Sequence, residues 1–417
     1  MFSEYNFRNY NFRLLFYVLA LNLVGVVVIN SAVGGDRSYV NRQLIGLFGG
    51  LMLAIAISLM DYRKLMKCCG LVYIGCVGIL LAVIVAGQLG GFGGGSRRWI
   101  DLPVIGRFQP SEFVKILFVF FVASSLKKST EFKNVVVTTA LAAAHVLILV
   151  LSTDLGAALI MFVVYLVMLY VATQQPLYAV AGVGAGSFAA VIGYKLFAHI
   201  KVRVAAWKDP FATYSDGGYQ VAQSLFAIGT GSWFGMGLCQ GSPDLIPVAE
   251  TDFIFSAIAE ELGVIFALCL ILVCVSCYVM FLNIAMEIRN RFYKLIALGL
   301  GTCYIFQVFL TIGGVTKFIP STGVTLPLVS YGGSSMLSTM IMFGIIQGLY
   351  IIREDEEEEI IEKKRERANR NEPRRTAKKK PTQSKPKQQR PSGTEPERPK
   401  QKRKKPAFEE VPKQRVR

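Results

Sequence analysis

Histidine and charged residues are scarce in this sequence, and each shortage closes off a class of function. The two histidines, His145 and His199, stand far apart and poorly accompanied, which excludes a histidine-based metal site and leaves packing or interfacial roles. Of the eight cysteines, Cys68, Cys69, Cys76, Cys239, Cys269, Cys274, Cys277 and Cys303, most fall within apolar runs. Only Cys274 and Cys277 have a C-x-x-C spacing, and they share one expected helix, so neither a disulfide framework nor a zinc site is indicated. Internal repeats are missing too, which argues against a transporter built from inverted halves. Charged residues make up 18% of the 417, against 53% hydrophobic. Such a chain forms either large soluble domains or a polytopic membrane protein, and run length decides between them. Apolar stretches of about 20 residues recur along most of it, longer than buried soluble helices usually run.

About ten such stretches meet that length criterion. They fall at 14–33, 44–60, 69–87, from Gln109 onward, 135–151, 155–171, 177–197, from Asp252 to 281, 295–312 and 336–352. The first follows Arg8 and Arg13 as a signal peptide would, but it exceeds a typical h-region and more spans follow, so it is expected to be a retained helix. Short basic loops at 61–67, 127–134 and 287–294 belong on the cytoplasmic side, which also places both termini there. The expected fold is therefore an all-α polytopic membrane protein of about ten transmembrane helices, spanning 1–352, with a large extracellular loop between helices 7 and 8.

Residues 353–417 are expected to form a disordered basic tail. Lys363 to Arg417 holds 22 Lys/Arg and 6 Asp/Glu, which accounts for +16 of the net charge of +17. Beside a cytoplasmic leaflet each such cation gains roughly 1 kcal/mol from anionic lipid. Nucleic acid is the weaker alternative, because the tail is tethered to a membrane and lacks interleaved aromatics.

Polar residues gather toward the outer loops. Segment 88–108 is glycine-rich and carries Arg97 and Arg98 beside Trp99; arginine suits bidentate phosphate contact, and an interfacial loop anchored by tryptophan is the plainer alternative. The fourth span opens Gln109-Pro110-Ser111-Glu112, and Glu112 lies three residues from Lys115 on one helical face. That pair either neutralises itself or faces a polar cavity. Asp154, in a short outer turn, reads as a helix cap. Residues 198–251 combine Arg203, Trp207 and Lys208 with tyrosines and glycines, as a cover over a cavity would. The loop after the ninth span, with Ser330 and Ser334 among glycines and prolines, implies broken backbone lining a cavity.

Stretch 248–263, VAETDFIFSAIAEELG, puts Asp252, Glu260 and Glu261 at the head of an apolar span. A carboxylate at the centre of a membrane helix costs roughly 2.5–3.5 kcal/mol, so each needs a functional or pairing reason. Spacing predicts Asp252, Ser256 and Glu260 on one helical face, with Glu260 supporting Asp252. Cations beside glycine-rich backbone suit a diphosphate, and a carboxylate at a cavity mouth suits a general base, which together point to a lipid-diphosphate substrate.

The motifs SRRWIDLPVIGRFQPSEFVK, DPFATYSDGGYQVAQS, GSWFGMGL, AETDFIFSAIAEELG and PSTGVTLPLVSYGGSS, in this order, closely resemble the shape, elongation, division and sporulation (SEDS) family of FtsW, RodA and SpoVE. The resemblance covers the membrane part as far as Ile352. It implies a ten-helix peptidoglycan glycosyltransferase that polymerises lipid II outside the cytoplasmic membrane, working with a class B penicillin-binding protein among other division or elongation membrane proteins. It also implies that Asp252, in Thr251-Asp252-Phe253-Ile254-Phe255, is catalytic. Asp252 is then expected to deprotonate the acceptor's 4-hydroxyl in an inverting transfer, while Arg97, Arg98, Lys115 and Arg203 hold diphosphates. A divalent cation, Mg2+ or Mn2+, is compatible with such chemistry, although no dedicated ligand set stands out. A lipid II flippase and a non-catalytic scaffold are the alternatives, and the motifs do not choose between division, elongation and sporulation.

Overall fold

A computed structural model describes residues 11–59, 75, 77, 78, 100–102 and 106–376. The chain divides into a unit Met1–Ile360 and a second unit Ile361–Arg417, the latter described as far as Thr376. Helices α1 (Phe12–Ala32) and α2 (Arg37–Ser58) come first, each capped by a side chain that accepts an orphan amide: Asn11 from Leu14 N at 3.2 Å and Asp36 from Ser38 N at 2.9 Å. The third expected span, 69–87, and the loop 61–67 lie outside the described residues, apart from positions 75, 77 and 78.

Within the expected loop 88–108 the structure has a small antiparallel hairpin, β1 (Ile100–Leu102) and β2 (Gly106–Phe108), registered with Asp101 opposite Arg107. It is the one departure from an all-helical architecture among the described residues. Helix α3 (Pro110–Lys128) starts on a proline in its first turn, where the missing N–H costs nothing. Helices α4 (Phe132–Leu151), α5 (Leu155–Thr173) and α6 (Pro176–Leu196) follow through short turns. Eight described helices are long and apolar enough to cross a membrane. Helix α3 is not one of them, since Glu112, Lys115, Lys127 and Lys128 dilute its apolar content, yet its Val119, Val122, Ala123 and Leu126 are wholly buried.

The stretch between α6 and α9 is more structured than a cover loop. It contains α7 (Ala198–Lys208), a 3-10 turn (Tyr214–Asp216), α8 (Tyr219–Gly231) and a second turn (Pro243–Leu245). Helices α9 (Ile254–Glu287) and α10 (Arg291–Val315) form the centre of the bundle; α10 packs on α9, α5, α3 and α8. Buried on most sides, α10 contrasts with α6, which has no buried residue and turns its apolar surface outward as a lipid-facing helix does. Helix α11 (Gly333–Thr376) joins the core through Phe343, whose ring meets Phe281 and Tyr304 at centroid distances of 5.0 and 5.5 Å.

Two of the short basic loops meet at one end of the bundle. Lys127 lies 5.5 Å over the Phe292 ring, and Arg291 donates to the Ala172 carbonyl at the end of α5. Arg353 pairs with Glu287 at α9's C-terminal end, next to the same loop. Helix α11 continues past the start of the expected tail at 353, as far as Thr376. Glu, Lys and Arg are good helix formers, and the acidic run precedes the basic one, so Glu359 stands four residues before Lys363 in the favourable order. Residues 377–417 lie outside the described residues.

Candidate active site

Helix α9 begins at Ile254, so Asp252 sits in the turn ahead of it and not on the helical face shared by Ser256 and Glu260. That turn is tied down by the loop between α10 and α11. Ser330 Oγ donates to the Thr251 carbonyl at 2.5 Å and accepts from Leu326 N at 2.9 Å, and Tyr331 N donates to the Glu250 carbonyl at 2.8 Å. The half-buried Asp252 carboxylate is thereby held against Gly323. A methyl group built on Gly323 would lie 3.4 Å from Asp252 Oδ2 and 3.5 Å from Arg203 Nη2, so carboxylate and guanidinium border one small space. Gly323 adopts φ +69°, a conformation that glycine reaches without strain.

Arg203 comes from α7 and is oriented by the same loop, donating Nη1 to the Ser321 carbonyl at 2.8 Å. One helical turn on, Trp207 Nε1 donates to the Lys317 carbonyl at 3.1 Å. Two side chains of one short helix thus clamp the 317–323 segment, which carries Gly323 to Asp252. Lys208, next along α7, is exposed.

Glu112 and Lys115 stand apart from this cluster. Their ion pair is 2.9 Å long, and Lys115 is 1% exposed and also donates to Gln307 Oε1 at 2.6 Å. Ser338 donates to the same Glu112 oxygen at 2.9 Å. In this structure the two charges pair with each other, and the Lys115 ammonium, bonded to Glu112 and Gln307, is buried and not presented beside Asp252. The pair still bears on the site, because Gln307 Nε2 donates to the Thr325 carbonyl at 3.1 Å, two residues from Gly323. Asp154 caps α5 at Ala157 N, as expected, and additionally accepts from Ser111 Oγ at 2.8 Å and Gln109 Nε2 at 3.0 Å. Ser334 Oγ accepts from Gln109 N at 3.0 Å, tying α11 to the start of α3.

Glu260 and Glu261 belong to a break in α9 at Gly263, where φ is 83° and ψ 167°. Four backbone groups lose their helical partners there, and residues 232–237 supply replacements. Met236 N and Gly237 N donate to the carbonyls of Glu260 and Glu261, each at 2.9 Å, while Val264 N and Ile265 N donate to the carbonyls of Ser232 and Trp233. Glu260 accepts from Ser242 N at 3.0 Å; Glu261 accepts from Cys239 N at 3.2 Å and from Ser31 of α1. One oxygen of each carboxylate thus bonds the segment 239–242 beside the break, and because Asp252 precedes the helix the expected helical face from Asp252 to Glu260 does not form.

Sequence reasoning missed Gly323, Ser321 and Gln307. A lone amide in an apolar span was the available signal for Gln307. Gly323 was marked only by its place in the motif PSTGVTLPLVSYGGSS, not by any role at the carboxylate. Arg97 and Arg98 lie outside the described residues. Among the described residues no three His, Cys, Asp or Glu converge as a metal site would require.

The profile of a family described as cell cycle protein, covering FtsW, RodA and SpoVE, matches residues 12–354. The peptidoglycan glycosyltransferase RodA of Mycobacterium tuberculosis is 36% identical over 372 residues, 82% of this chain and 78% of that protein. A probable peptidoglycan glycosyltransferase FtsW of Geobacter sulfurreducens is 33% identical over 361 residues, covering 81% and 94%. Among solved structures, a chain from a peptidoglycan synthase complex that coordinates polymerization and crosslinking superposes with a TM-score of 0.71 at 26% identity, over 82% of this chain and 98% of that one. The rod shape determining protein RodA of Thermus thermophilus gives 0.60 at 25% identity, over 82% and 96%. With a family match over residues 12–354, relatives 33–36% identical over most of the chain and a shared helical bundle, the chain belongs to the FtsW, RodA and SpoVE family of multi-pass membrane proteins.

Proposed function

We propose that the protein is a peptidoglycan glycosyltransferase that polymerises lipid II, with Asp252 as its general base. The observation that carries the reading is the placement of the Asp252 carboxylate beside the Arg203 guanidinium, with Gly323 leaving the space between them clear. In the reaction, the acceptor's 4-hydroxyl loses its proton to Asp252 as its oxygen attacks the donor's anomeric carbon. The new C–O bond forms as the bond from that carbon to the phosphate oxygen breaks, and the electron pair leaves on the lipid diphosphate. A single displacement turns an α-linked donor into a β-1,4 product, so one base suffices. Arg203 and the exposed Lys208, joined by Arg97 and Arg98, supply positive charge for the diphosphates. The described side chains offer no dedicated metal site, so Mg2+ or Mn2+ would be carried by the diphosphate with Asp252 as the protein carboxylate beside it, and no step above runs through one.

The basic loops at one end support a cytoplasmic placement of that end and of both termini, with Asp252 at the outer face. Partnership with a class B penicillin-binding protein, and through it with other division or elongation membrane proteins, is supported by the likeness to a polymerising and crosslinking complex. The test is incubation of the purified protein and its partner with lipid II, followed by separation of glycan strands. The wild type should form polymer and Asp252→Ala none; polymer from the variant would refute the base assignment. Lipid II crossing liposome membranes on this protein without strand formation would replace the reading by a flippase.

A further inference from the structure

The splice at Gly263 leaves an apolar tip that the reaction does not use. Trp233, Phe234, Met236 and Leu238 are 63, 85, 50 and 49% exposed. No charged residue stands between Asp216 and Asp244 to make this surface a polar one. Its height along the bundle is fixed, because the backbone of residues 232–237 completes the hydrogen bonds of the broken α9. From Val264 to Glu287, α9 runs about 36 Å at 1.5 Å per residue, enough to cross a hydrocarbon core of about 30 Å. The break therefore falls at the membrane boundary on Asp252's side. Ser31, at the last turn of α1, reaches Glu261 at the same level. Immediately past the break, α9 turns Ile265, Leu268 and Leu272 outward, so the exposed tip continues a lipid-facing stripe.

We infer that residues 233–238 enter the bilayer boundary, with Trp233 at the headgroup level and Phe234, Met236 and Leu238 against acyl chains. An indole prefers that boundary, and an uncharged apolar tip at this height gains by meeting lipid. Through the four splice hydrogen bonds, the depth of this tip sets the depth of the α9 segment that leads to Asp252. The inference stands apart from the assignment of the reaction and rests only on the break and the exposed tip.

The experiment uses the full-length protein in lipid nanodiscs. Emission from the wild type and from Trp233→Phe is recorded with lipids brominated near the top of the acyl chain and, separately, with aqueous iodide. The difference between the two proteins reports Trp233; it should lose most of its emission to brominated lipid and little to iodide. Moving the indole one position, with Trp233→Phe and Phe234→Trp together, should keep or strengthen quenching by lipid. Quenching by iodide and not by brominated lipid would place the tip in water and overturn the inference. Protection from both quenchers, with or without the partner protein added, would mean that protein covers the tip, and would overturn it equally.

Discussion

Gly323 shows how much of the site depends on one missing side chain. Alanine at φ +69° is strained by about 1–2 kcal/mol, and its methyl would fill the space in ordinary contact with Asp252 Oδ2 at 3.4 Å and Arg203 Nη2 at 3.5 Å. We expect Gly323→Ala to fold and to lower kcat about tenfold, equivalent to ~1.4 kcal/mol, with KM little changed, as measured by initial rates of strand formation. Lys115 makes the opposite case, a charged residue whose work is internal. Lys115→Met leaves Glu112 charged and buried, a loss of about 3–5 kcal/mol. The double variant with Glu112→Gln removes the stranded charge and should recover most of that loss, which thermal unfolding in detergent would read. If the single and double variants unfolded together, the ion pair would not be what holds α3 in the core.

Among the elements, α9 is the one whose behaviour a helical wheel misrepresents. Its sequence reads as one long helix, but Gly263 breaks it and a neighbouring segment repairs the hydrogen bonds. At Gly263 an added methyl would stand 2.5 Å from the Trp233 carbonyl oxygen and 2.5 Å from the Phe234 carbonyl carbon, both backbone atoms that cannot swing away. Gly263→Ala should therefore yield little folded protein by size-exclusion chromatography. Gly34→Ala is the matched control: φ is +62°, but nothing lies within 4 Å of the added methyl, so it should cost only about 1–2 kcal/mol of local strain. Equal damage from the two substitutions would mean that backbone strain, and not the splice, governs the effect. Helix α7 carries a second lesson at this scale. Its Arg203 and Trp207 act as a pair on one loop, which makes it a clamp for Gly323 as well as a cover.

At the level of the whole molecule, the net charge is concentrated at one end of the sequence. Residues 377–417 hold 15 Lys/Arg and 4 Asp/Glu. Each tail cation near an anionic surface gains about 1 kcal/mol, and salt screens the gain. Deleting 377–417 should leave strand formation intact while weakening adsorption of the detergent-solubilised protein to anionic vesicles at low salt. Unchanged adsorption would remove lipid attraction as the tail's role. The likeness to relatives named both RodA and FtsW agrees with motifs that do not by themselves separate elongation from division.

The sequence by itself determined the membrane class and the approximate place of the described spans, and it nominated Asp252, because run length and a short ordered motif are local properties that survive without a fold. Its basic loops also predicted which turns would share an end, and Lys127 against Phe292 agrees. Only the tertiary structure decided which polar groups are spent and which are available. Lys115 pairs with Glu112 three residues away and with the distant Gln307, and one Glu260 oxygen accepts from Ser242 N, because packing brings Gln307 and Ser242 there. The break in α9 was equally unreadable, since a glycine in an apolar run does not announce that residues 232–237 will supply its missing hydrogen bonds. Nor did a glycine in a loop reveal that it would rest against the carboxylate; that needed α7, α9 and the loop after α10 to meet.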